Sequence, residues 1–82
     1  MDHDKMIVTM EDELKIVFFK DDEEDNTLKF VMCNGGSFHE NEVEEGSIHA
    51  VVGEPLSFIY YYGYGSSEDL KLETLVKEIG YE

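Results

Sequence analysis

The sequence predicts an α+β fold: a small antiparallel sheet of about five strands with one C-terminal amphipathic helix on one face, in a single acidic domain spanning 1–82. Three observations predict it. Short apolar runs recur along most of the chain, several of them alternating with a period of two. The breaks between them are mostly too short for parallel crossovers, which favours a meander. Only the last segment carries an apolar stripe at helical spacing.

The first strand is read at Met6–Met10 and is broken by Glu11-Asp12-Glu13. The second runs Leu14–Lys20, with Leu14, Ile16 and Phe18 on one face. The third runs Thr27–Cys33, with Leu28, Phe30 and Met32 in alternation, and Asn34-Gly35-Gly36 ends it. Ser37–Ser47 reads as an acidic loop, Ile48–Val52 as a fourth strand, Gly53-Glu54-Pro55 as a turn and Leu56–Tyr62 as a fifth strand. In the last segment Ser66 or Ser67 can cap a helix, and Glu68 and Asp69 suit its first turn. Leu72, Leu75, Val76 and Ile79 form the stripe, Glu73 and Lys77 an i,i+4 pair, and Gly80 suits a C-terminal left-handed position. A single helix cannot cover both faces of a sheet. Val17, Phe19, Val31, Cys33, Ile59 and Tyr61 are left on the second face, to be covered by the Ser37–Ser47 loop through Phe38 and Val43, or by a second subunit or partner.

Leu, Ile, Val and Phe make up 23 of the 82 residues, above the roughly 20% below which a chain this charged is expected to be disordered. A folded domain with a radius of gyration of roughly 12 Å follows. Twenty acids stand against six lysines and no arginine, for a net charge of −14. That balance excludes direct binding to nucleic acid phosphates and to an anionic membrane surface. No apolar run approaches the ~20 residues of a transmembrane helix, and the start of the chain, Met1-Asp2-His3-Asp4-Lys5, lacks the apolar core of a signal peptide. One cysteine, Cys33, fits a reducing cytoplasm.

Motifs for chemistry are weak. Asp21, Glu23 and Asp25 alternate like calcium ligands, but Asn26 and Met32 stand where such a loop needs Gly and Glu. Cys33, His3, His39 and His49 lack metal-ligand spacing. Cys33 has no catalytic signature around it, and a dense negative surround raises a thiol pKa. Gly35-Gly36 and Gly63-Tyr64-Gly65 match no phosphate-loop pattern. Neither an enzyme nor a cofactor or metal is expected.

Two features do point to a partner. Acids gather in two clusters, Asp21, Asp22, Glu23, Glu24 and Asp25, and Glu40, Glu42, Glu44 and Glu45. Four tyrosines fall within Tyr60–Tyr64, of which Tyr61 and Tyr64 are expected to face solvent as interface anchors. Carboxylates can imitate phosphates while tyrosines supply apolar contact. The chain is therefore read as a non-enzymatic inhibitor that occludes the basic nucleic-acid-binding site of a target protein, such as a nuclease, a polymerase or a defence complex. In size, charge and exposed aromatics it is similar in kind to small acidic DNA-mimic inhibitors of the phage anti-restriction, anti-CRISPR and glycosylase-inhibitor types; no motif is shared residue by residue. Two other readings stand beside this one: an immunity protein or antitoxin against a basic nuclease, and a structural domain that homodimerises through the second sheet face.

Overall fold

The computed structural model describes residues 4–20, 28–33, 41–63 and 65–82. The apolar segments among them form strands, the last included. These are β1 (Lys5–Met10), β2 (Lys15–Lys20), β3 (Leu28–Cys33), β4 (Asn41–Val43), β5 (Pro55–Gly63) and β6 (Ser66–Tyr81). Each pairs antiparallel with the next, and β6 returns to β1, closing a barrel in sequence order. The radius of gyration is 12.1 Å.

The expected α+β fold is thus corrected to an all-β barrel. The described residues hold no α-helix, only a 3-10 turn at Glu45–Ser47. The reason lies in β6. Leu70, Leu72, Thr74 and Val76 alternate as a strand requires, with Leu70 opposite Phe58. A bulge then intervenes: Val76 pairs with Met10 and Glu78 with Thr9, leaving Lys77 as the extra residue. The bulge shifts the alternation by one, so Ile79 joins the inward set opposite Val8. Half-buried Leu75, which pairs with Pro55 on the outer side, fills out a spacing that imitates a helical stripe. Ser66 and Ser67 pair with Gly63 and Tyr61 instead of capping. Lys77 bonds Glu13, not Glu73, and Gly80 sits in the ladder opposite Ile7.

Two smaller corrections follow. Ile48–Val52 is not a strand; it makes only isolated bridges, His49 to Ser57 and Val52 to Val76. Its valines explain why, since Val51 and Val52 are exposed while Ile48 and Ala50 pack on the core. The expected loop Ser37–Ser47 contains a strand, β4, which completes the wall between β3 and β5. Val43 faces the barrel interior rather than plugging a second sheet face; Phe38 lies outside the described residues.

The interior is filled by Met6, Val8 and Met10 of β1, Ile16 and Phe18 of β2, Leu28 and Phe30 of β3, Val43, then Leu56 and Phe58 of β5 and Val76 of β6. Phe58 ties the centre together, with ring centroids 5.0 Å from Phe18 and 4.8 Å from Phe30, both edge-to-face. Burying each such ring contributes about 1.5–3 kcal/mol. The expected second sheet face is the barrel's outer surface: Val17, Phe19, Ile59 and Tyr61 are half-buried there and Val31 is buried, while the Cys33 side chain lies outside what is described.

Candidate functional site

The pairing of β4, β5 and the first half of β6 places acids around the tyrosine run. On the outer face, Lys29, Glu42, Tyr61 and Ser67 form one row across four strands. Beside it Asp69 pairs with Ile59, and one step along Glu68 pairs with Tyr60. Glu44 follows β4 directly, and its backbone N–H donates to the Ile59 carbonyl at 3.0 Å. Ser47 fixes the 3-10 turn against β5: its Oγ accepts from the Ile59 N–H at 2.8 Å and donates to the Glu44 carbonyl at 2.6 Å. One side chain, Ser47 at the end of the 3-10 turn, thus locks the acidic turn to the aromatic strand.

Two hydroxyls are aimed by carboxylates. Tyr61 Oη donates to Glu44 Oε2 at 3.4 Å, and Tyr60 Oη donates to Glu68 Oε2 at 3.2 Å. Partial burial pushes the Tyr60 phenol above its ordinary value, and the Glu68 carboxylate adds to the shift by accepting the phenol's hydrogen bond and by its charge. Tyr60 turns inward and stacks between Phe58 and Tyr62, at centroid distances of 6.4 and 6.0 Å.

Of the residues singled out by sequence, Glu42, Glu44 and Glu45 are exposed, and Glu42 and Glu44 are brought to Tyr61. Tyr61 is half-buried, not solvent-facing; among the described tyrosines of the run the exposed one is Tyr62, at 57%. Asp21, Asp22, Glu23, Glu24, Asp25, Glu40 and Tyr64 lie outside the described residues. Glu68 and Asp69 were legible as acids but not as neighbours of the tyrosines, since a helix would have carried them elsewhere. Reading Leu70-x-Leu72-x-Thr74-x-Val76 as strand alternation would have found them.

Among the described residues, no group of three or more His, Cys, Asp and Glu side chains is gathered to hold a metal. His49 Nε2 meets Glu54 Oε1 at 3.0 Å, an exposed pair next to the bridge with Ser57. Among the same residues, no helix is long and apolar enough to cross a membrane. What the arrangement offers chemically is a surface of carboxylates and phenols, able to accept hydrogen bonds from cationic donors and to bury aromatic area against them. No protein-family model matches the chain, and no curated protein or solved structure is significantly similar to it.

Proposed function

We propose that this barrel is a non-enzymatic inhibitor that docks its acidic, tyrosine-bearing outer surface on the basic nucleic-acid-binding site of a target protein in the cytoplasm. The observation that carries the reading is the setting of Glu42, Glu44 and Asp69 around Tyr61 on the outer face by the β4–β5–β6 pairing, with Glu68 bonded to Tyr60 at the adjoining barrel end. The ladder holds the backbone beneath these carboxylates, and the Tyr61 and Tyr60 hydroxyls bond Glu44 and Glu68, so less ordering entropy is lost when those two meet arginines and lysines. The net charge of −14 steers a cationic partner toward the molecule from a distance. Half-buried Tyr61 supplies the aromatic anchor on the outer face, and exposed Tyr62, whose ring lies against Tyr60, adds aromatic area at the end of β5.

The test is capture of partners from a bacterial lysate on the tagged protein at low salt, with elution by a salt gradient. The expected result is one cationic nucleic-acid-binding protein that elutes late and is displaced by duplex DNA. A variant carrying Glu42→Gln, Glu44→Gln, Glu68→Gln and Asp69→Asn should release it at lower salt. Retention of nothing basic, or elution unchanged in that variant, overturns the reading.

A further inference from the structure

The described residues leave a gap at one end of the barrel. A pocket of about 180 Å³ lies among Phe30 and Met32 of β3, Asn41 of β4, Tyr60 of β5 and Leu70 of β6. Phe30 is buried, whereas the other four are half-buried, so the pocket opens to solvent.

Size and lining define what fits. An apolar cavity of about 150 Å³ accommodates a benzene-sized guest, so this one takes a single ring. Phe30 and Tyr60 meet edge-to-face at 5.6 Å and form an aromatic wall. Met32 offers a thioether that adapts to a guest's shape, and Leu70 closes the far side. Asn41 supplies the amide. Its Nδ2–H donates to the Tyr61 carbonyl at 3.1 Å, which orients the group and leaves one more N–H and the Oδ1 acceptor to offer. The Tyr60 hydroxyl is engaged with Glu68. That carboxylate, together with the net charge of −14, disfavours an anionic guest.

We infer that this pocket is a binding site for a single-ring aromatic molecule, uncharged or cationic, carrying one polar group matched to the Asn41 amide. The site does not depend on the docking role of the outer acids. Three probes of similar shape and different charge test it: benzyl alcohol, benzylammonium and benzoate. Each is titrated into the full chain labelled at methionine and leucine methyl groups. Benzyl alcohol and benzylammonium should shift the Met32 and Leu70 methyl resonances saturably, and benzoate should bind at least tenfold more weakly. Met32→Phe and Leu70→Phe each fill the space and should abolish the shifts while the chain stays folded; if one variant does not fold, the other decides. The assignment is overturned by the absence of saturable shifts at Met32 and Leu70 with both favoured probes, by shifts that survive in a folded, filled variant, or by benzoate binding as tightly as the alcohol.

Discussion

Glu13 holds a backbone conformation that its side chain disfavours, with φ at +72°. The turn between β1 and β2 demands it. Glu13 N–H donates to the Met10 carbonyl and Met10 N–H to the Leu14 carbonyl, while Asp12 Oδ1 accepts from Leu14 N–H. A non-glycine residue in the left-handed region costs about 1–2 kcal/mol. Glu13 also meets Lys77 Nζ at 3.0 Å, an exposed ion pair of the kind that contributes little. Two substitutions separate these effects. Glu13→Ala loses the ion pair and keeps the strain; Glu13→Gly loses the ion pair and relieves it. The glycine variant should therefore be more stable than the alanine variant by about 1 kcal/mol in urea unfolding. Equal stabilities would show that the turn is not strained. At Tyr60 the sign of a pH effect can be worked out. Burial, then Glu68, raise its phenol above the ordinary value of 10.0. The unfolded chain therefore loses this proton first, so the contribution is intact below pH 10 and fades as pH rises through the folded-state value. Lys77, raised by its hydrogen bond to Glu13, acts with the same sign, so the measurement must be specific to phenols. Phenolate absorbance should show an ionisation above the ordinary tyrosine range, and Tyr60→Phe should remove that step and flatten the alkaline loss of stability.

β6 shows at the scale of an element what the sequence disclosed and what it hid. The second, third and fifth strands could be read because Ile16 and Phe18, Leu28 and Phe30, and Leu56 and Phe58 alternate toward one core, and the first as a short apolar run. β4 could not: Asn41-Glu42-Val43 buries a single apolar side chain, and only its pairing with β3 and β5 makes it a strand. Ile48–Val52 misled in the opposite way, since β-branched residues favour strands but two of its valines face solvent. In β6 the bulge at Lys77 changed the apolar period halfway, and local propensity had no means of registering a ladder partner more than sixty residues away in β1. The candidate site inherited that error. Its acids were visible as residues, but their meeting with Tyr60 and Tyr61 depends on the β5–β6 register. The two readings of this segment predict different mutational profiles. A helix would bury Leu75 and Val76 together, whereas the barrel buries Val76 at 1% exposure and leaves Leu75 half-exposed on the outer side. Val76→Ala should therefore cost about 2 kcal/mol, and Leu75→Ala less than half as much. Equal losses in chemical denaturation would contradict the strand.

For the whole molecule the governing quantity is charge against size. Fourteen net negative charges are held on a body of 31 × 26 × 26 Å. The Debye length is ~30 Å at 0.01 M salt and ~10 Å at 0.1 M. At the lower concentration carboxylates repel one another across the full width of the barrel; at the higher one repulsion is confined to neighbours such as Glu42 and Glu44. Unfolding separates the charges, so repulsion weighs against the compact state, and a small core has only a few kcal/mol to set against it. Stability should accordingly rise with salt. Between 0.01 and 0.5 M sodium chloride the urea midpoint should increase while the slope of the transition stays constant, because the surface exposed on unfolding does not change. Chloride is the right salt, since sulfate also strengthens apolar burial. Partner binding by the acidic surface should move the other way, weakening over the same range as the attraction between unlike charges is screened. These opposed slopes are the signature of a surface whose charge destabilises the fold and serves recognition. A midpoint that stays flat with salt would mean that the carboxylates are already relieved in the folded barrel, and that their gathering around the tyrosines costs the molecule nothing.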